Sequence, residues 1–435
     1  MMISVLQSRF KVNLSRRFYG VLAGSTLVVC SFALPALAQT ASPQEATAYN
    51  EQKVTASDGT ANSFFGSAAA LDGPLALIGA DGENSFEGAA YFFNNVGGVW
   101  TEGQKVTPSD GLAGDEFGYR TALRGDTAVV TAFSATVNGT AAQGAAYVFT
   151  QSAGVWSESQ KLLASDGGLF DNFGASVAIS ENVIAIGANG ATVGQNPAQG
   201  AVYVFTKVGS SWIEEQKLVA DDGAAFDNFG LSVALDGPTI LAGAPAAMID
   251  DKFGQGAVYR FARINGVWTQ VQKLVADDGA AGDSFGQSIA MNQRVALVGA
   301  YNANVNGAPG AGAVYVFNRS SGLLVQAQKL TADDSSSFAN FGNAVALAGN
   351  RALIAADVST VDGDTSAGKA YLFLSNGESW SQTQTFTASD AATDDFFGAA
   401  IALEPGTALI ASPHPTINGN TWQGAAYFDS NPNAL

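Results

Sequence analysis

Aspartate is the residue whose recurrence in this chain most suggests chemistry. Before each of seven Phe-Gly dipeptides stands an Asp, usually followed by Gly, and a few residues later another Asp or Asn. The series runs Asp58 with Asn62, Asp110 with Asp115, Asp166 with Asp171, Asp222 with Asp227, Asp278 with Asp283, Asp334 with Asn340, and Asp390 with Asp394 and Asp395. The doubled sites, Asp221-Asp222 with Asp227 and Asp277-Asp278 with Asp283, gather the most carboxylate. Crowded carboxylates suit a hard, oxygen-seeking cation, and calcium is the candidate here. A carboxylate pair also serves glycoside hydrolysis. The plainer reading is that each Asp caps its own turn by accepting backbone N–H bonds. Recurrence in every copy favours that reading, because a residue that all copies need belongs to the scaffold.

A site of its own should instead break the repeat. The breakers are His414 and Trp422 in one loop, and Met248, Asp250, Asp251 and Lys252 in another. The chain has one histidine and one cysteine. The cysteine, Cys30, falls in a leader, so the mature part offers no zinc-binding His pair and no thiol nucleophile. We therefore expect no catalytic set and no bound organic cofactor. Asp250, Asp251, His414 and Trp422 are the candidate ligand contacts, and Asp221, Asp222, Asp227, Asp277, Asp278 and Asp283 the candidate calcium ligands.

Three markers in phase define the elements that position these residues. Phe-Gly begins at residues 65, 117, 173, 229, 285, 341 and 397, a spacing of 52 once and then 56 five times. Gly-Ala-(Ala/Val)-Tyr keeps step from Gly88 to Gly424 and reads Gly368-Lys369-Ala370-Tyr371 in the sixth copy. Trp100, Trp156, Trp212, Trp268 and Trp380 form the third marker, with Leu324 in the missing slot and a Gln four residues after each. Each copy reads as four short strands, for example Phe173 to Ile179, Val183 to Ile186, Ala201 to Phe205 and Ser211 to Leu218. Four strands per repeat is the arithmetic of propeller blades. The expected fold is all-β: a seven-bladed β-propeller, four antiparallel strands per blade, over residues 48–430. Glu51-Gln52-Lys53-Val54 reads as a fourth strand with no preceding three, while the last copy lacks its fourth. Residues 48–55 should therefore complete the last blade, leaving no open sheet edge.

These motifs resemble the FG-GAP repeat family in its bacterial form, over essentially all of residues 48–430. The resemblance implies a propeller like the head of integrin alpha subunits, some of whose blades carry an Asp-rich calcium loop between strands one and two. This chain departs from that pattern. Its corresponding turns, such as Asp72-Gly73-Pro74, Arg124-Gly125-Asp126 and Asp236-Gly237-Pro238, are short hairpin turns, so the integrin-type calcium loop does not carry over. Arg124-Gly125-Asp126 spells an adhesive tripeptide but occupies one of seven equivalent turns and reads as a turn.

Strands alternate in direction, so the four-to-one loops with their Asp pairs share a face with the long two-to-three loops. Long loops on one side of a rigid scaffold are where binding is expected. Residues 1–38 have a basic start, an apolar middle and Ala36-Leu37-Ala38 at the end, a signal peptide expected to be cleaved before Gln39. Residues 39–47 then read as a short linker and 431–435 as a tail. Without the leader the chain carries 16 basic and 38 acidic residues, a net charge of −22. Nucleic acid and anionic membranes are poor partners for such a surface. Nothing after the leader is apolar for long enough to insert in a membrane. The expectation is a secreted, periplasmic or extracellular binding module for a protein or glycan, with calcium assisting. The alternatives are a structural envelope protein and a carboxylate-dependent hydrolase.

Overall fold

The computed structural model describes residues 50–430. The leader, the linker at 39–47, the first two residues of the expected closing strand and the tail at 431–435 lie outside the described residues. Twenty-eight strands, β1 to β28 in chain order, form seven antiparallel four-stranded sheets among the described residues. In the third blade, β10 (Phe173–Ile179), β11 (Val183–Ala188), β12 (Ala201–Val208) and β13 (Ser211–Leu218) pair in sequence order. The last sheet has the order β1 (Asn50–Val54), β28 (Ala425–Ser430), β27 (Thr407–Ser412) and β26 (Ala400–Glu404). The register sets Lys53 opposite Tyr427, so the N-terminal strand closes the ring.

Each sequence marker has a physical job at a blade junction. The Phe of Phe-Gly lies fully buried, edge-on to the strand-three tyrosine of its own blade, as in Phe173 on Tyr203 with centroids 5.5 Å apart. The Gly of Gly-Ala-(Ala/Val)-Tyr touches the next blade: at Gly88 (φ 88°) an added Cβ would stand 1.9 Å from the Phe117 carbonyl oxygen. A side chain there would push two blades apart. The Trp packs against the blade before it, as Trp156 stacks on Phe92 at 4.1 Å. The Gln is a staple. Gln104 Nε2 donates to the Trp156 carbonyl at 2.8 Å, and the Trp156 N–H donates back to Gln104 Oε1 at 2.9 Å. Because the staple grips only backbone, Gln272 holds Leu324 in the same way at 2.7 and 3.0 Å. Gln52 of β1 makes the same pair of bonds with Trp100, so the closing strand also ties the last blade to the first.

The buried apolar clusters follow this logic. One joins Leu409, Ala411, Ala426 and Phe428 of the last blade to Ala76, Ile78, Tyr91 and Phe93 of the first. The core is thus a ring of shared interfaces rather than one centre. Arg124-Gly125-Asp126 is the hairpin turn between β6 (Phe117–Arg124) and β7 (Thr127–Ala132), on the face away from the long loops.

Candidate binding face

The aspartates before Phe-Gly bond to the scaffold, with their side chains left about half exposed. Tyr203 and Lys217 are cross-strand partners on β12 and β13. The Tyr203 hydroxyl donates to Asp166 Oδ1 at 2.6 Å and the Lys217 ammonium to Oδ2 at 2.7 Å. The same clasp recurs as Asp58–Tyr91–Lys105, Asp110–Tyr147–Lys161, Asp278–Tyr315–Lys329 and, through the closing strand, Asp390–Tyr427–Lys53. Asp222 holds Lys273 at 2.6 Å and is bonded by Tyr259. Burial pushes the Asp222 pKa up, but the bonds from Lys273 and Tyr259 outweigh it and hold the carboxyl below its usual range. The sixth blade explains the odd Lys369: strand four has Thr385 where the others have Lys, and Lys369 reaches Asp334 at 2.6 Å instead.

The later aspartate of each pair caps a turn. Asp227 Oδ2 accepts the Ala224 N–H at 2.8 Å and Asp283 Oδ2 the Ala280 N–H at 2.8 Å. The doubled residues have a third explanation. Where this slot is Ser, as at Ser57, Ser109, Ser165 and Ser389, its N–H and hydroxyl donate to the carboxylates of Glu102, Glu158, Glu214 and Glu51. Where it is Asp, at 221, 277 and 333, the partner is Gln270, Gln326 or Gln382, whose neutral side-chain oxygen accepts the Asp N–H at 3.1 Å. The swap keeps two carboxylates from facing each other. The expected calcium shell at Asp221, Asp222, Asp227, Asp277, Asp278 and Asp283 does not fit this arrangement. The carboxylates of Asp222 and Asp278 carry ammonium partners, those of Asp227 and Asp283 cap turns, and no group of three or more His, Cys, Asp or Glu side chains among the described residues is arranged to hold a metal ion.

Asp250 and Asp251 lie at the tip of their loop with φ of 49° and 64°, where three other blades place Asn-Gly, and Ile249 pairs with Lys252 around them. They form a tight turn. Lys252 anchors it to the Gly279 carbonyl at 2.8 Å, and Met248 beside it is exposed.

His414 and Trp422 do come together. Their rings lie 5.5 Å apart where the last blade meets the first, and Phe64 and Phe396 reach His414 at 5.4 and 4.8 Å. Phe64 also stacks on Trp422 and touches Phe86, at 6.0 Å in each case. Beside them a cavity of about 200 Å³ is lined by Asp390, Asp394, Asp395, His414 and Trp422. Burial pushes the His414 pKa down, against a bond to the Asp394 backbone that raises it, so the ring is neutral near pH 7.

The backbone beneath these aromatics is the decisive observation. The residue before Phe-Gly is left-handed in every blade: Asn172, Asn228 and Asn340 suit that conformation, yet Phe64 (φ 52°) and Phe396 (φ 55°) also adopt it. The residue two before the junction glycine is left-handed too. It is Gly254, Gly310, Ala142, Ala198 or Ser366 in five blades but Phe86 (φ 64°) and Trp422 (φ 55°) in the other two. A third column holds Asn62, Gly114, Gly282 and Asp394 in four blades and Phe170, Phe226 and Phe338 in three, at φ 59°, 69° and 59°. Those three rings are 61%, 60% and 63% exposed. A bulky residue in this region is strained by about 1–3 kcal/mol and persists where something else selects it. Sequence reasoning missed Phe64, Phe86, Phe170, Phe226, Phe338 and Phe396. The signal was in the columns beside the motifs, where small or Asn residues alternate with aromatics.

The model of the FG-GAP repeat matches residues 49–93, 100–149, 156–205, 212–261, 268–317, 324–373 and 380–428, one match per repeat. The chain belongs to the FG-GAP repeat family. It is also similar to mouse integrin alpha-2, 30% identical over 131 residues that cover 28% of this chain and 11% of that protein. This FG-GAP propeller thus spans about a tenth of the curated relative it matches. Its fold and family are consistent with a binding or adhesion role. Among its described residues no helix is long and apolar enough to cross a membrane.

Proposed function

We propose that this FG-GAP propeller is an exported, non-enzymatic binding module whose loop face recognises a protein or glycan partner. The observation that supports this is the set of aromatic side chains held on left-handed backbone at that face, four of them gathered with His414 and the rest exposed. Buried scaffold needs explain none of the exposed three. Aromatic anchors amid carboxylates are the composition of an interface that takes an apolar group beside a cationic or hydroxyl-rich one. The clasped aspartates serve the frame, their carboxylates bonded to tyrosine and lysine side chains.

The test uses the mature chain against a detergent extract of its own cell envelope. Replacing Phe64 and Phe396 by Asn and Trp422 by Ser, the residues used by sister blades, should abolish capture of the retained partner. Capture undiminished by the triple variant would sink the reading.

A further inference from the structure

The opposite, tight-turn face carries a second set of repeat breakers. Five of the seven arginines among the described residues fall in blades four to six: Arg260, Arg263, Arg294, Arg319 and Arg351. Arg260 occupies a slot that is Phe, Val or Leu in every other blade, and is only 7% exposed. Its counterpart on the next blade is Leu324, which stands where five other blades have Trp. The smaller side chain makes room for the guanidinium, whose Nη1 donates to the Gly322 carbonyl at 2.7 Å while its buried Nε has no partner. Arg319 crosses in the other direction, from blade five to the Thr239 hydroxyl at 3.4 Å. Of the five, only Arg263 has a carboxylate partner, Glu215. Elsewhere among the described residues most cations pair with a carboxylate, so guanidiniums without one, gathered in one sector, call for an anion from outside.

A cavity of about 990 Å³ opens at that place. Arg294 and Arg319 line it with Asn318, Asn350 and the Trp380 edge, and Asp236 and Glu378 stand in its wall. We propose that this cleft binds an oxyanion-bearing oligosaccharide. A guanidinium forks onto a carboxylate or sulfate with two parallel bonds. The amides offer donors and acceptors for hydroxyls, Asp236 and Glu378 accept further hydroxyl protons, and the volume suits a ligand of two or three rings. Long-range repulsion from the acidic loop face is screened beyond about 8 Å at physiological salt.

The site lies across the disc from the loop face, so the two readings fail separately. Calorimetric titration with a galacturonate trimer, a sulfated galactose trimer and a neutral galactose trimer tests it on the mature chain. We expect at least one charged trimer to bind at least tenfold more tightly than the neutral one, with carboxylated and sulfated arms ranking the oxyanion. Arg294→Gln with Arg319→Gln, both exposed, should cost that trimer about tenfold in affinity while the thermal melt is kept. Phe170→Asn on the other face should change nothing. Equal binding of charged and neutral sugars, no binding of either charged trimer, equal competition by inorganic sulfate, or affinity retained by the arginine variant would each overturn the proposal.

Discussion

Asparagine and glycine accept a left-handed backbone readily; phenylalanine and tryptophan do not. At Phe170, Phe226 and Phe338 the strain is about 1–2 kcal/mol each. The rings are mostly exposed, so replacing them loses only about 1–2 kcal/mol of apolar burial. The two terms offset, and Phe226→Asn should melt within about 1 kcal/mol of the parent. Phe229→Ala, three residues on and fully buried, should cost about 3–5 kcal/mol. Parallel thermal denaturation of both variants checks this contrast. Titratable groups belong to the same scale. Burial, and for Asp81 the nearby Glu116, raises the carboxyls of Asp81 and Asp357 to about 6, and burial with the Glu51 charge raises Asp429 to about 7. These groups bind protons more tightly folded than unfolded, so stability falls as pH rises through that range. The clasp aspartates have depressed pKa values, and their contribution is lost as pH falls below the carboxylate range. Melting temperature should therefore peak between about pH 4 and 6; a maximum above pH 7 would contradict these assignments.

Blades were legible in the sequence because each marker reports a contact between neighbours. Phe-Gly, the junction glycine, Trp and Gln are spaced by the distance from one blade to the next, and the strands of the third blade fall within three residues of their expected ends. His414 and Trp422 were legible as breaks in the repeat. The clasp that holds the aspartates was not legible, because their tyrosine and lysine partners lie 37 and 51 residues away, and only strand register brings them together. The exchange of Ser–Glu for Asp–Gln pairs was present in the sequence but not visible until the loops lay beside strand four. Lys369 gives the clasp a direct test. Lys369→Ala should cost up to about 1 kcal/mol, since the pair is half-exposed and screened. Adding Thr385→Lys should restore the loss, because that is where the six sister blades keep the ammonium. No rescue in the double variant would mean that Lys369 acts some other way.

At the scale of the whole ring, closure rests on five residues. β1 supplies the outer strand of the last blade, the Gln52 staple to Trp100 and the Lys53 ammonium for Asp390. Deleting residues 50–54 removes all three and should cost several kcal/mol, at about 1 kcal/mol per lost bond plus the uncovered apolar face. A deletion that melts like the parent would place the closure elsewhere. Calcium, magnesium and matched monovalent salt should shift the melt alike, through screening of the net charge. The central claim, that the loop face keeps strained aromatics for recognition, is tested most directly by a variant carrying Phe64→Asn, Phe396→Asn and Trp422→Ser. Capture from the envelope extract and circular dichroism of the same sample are read together. The account predicts a folded propeller, with an unchanged far-ultraviolet spectrum and a cooperative melt, that no longer retains the partner. A folded variant that captures as much partner as the parent would contradict it.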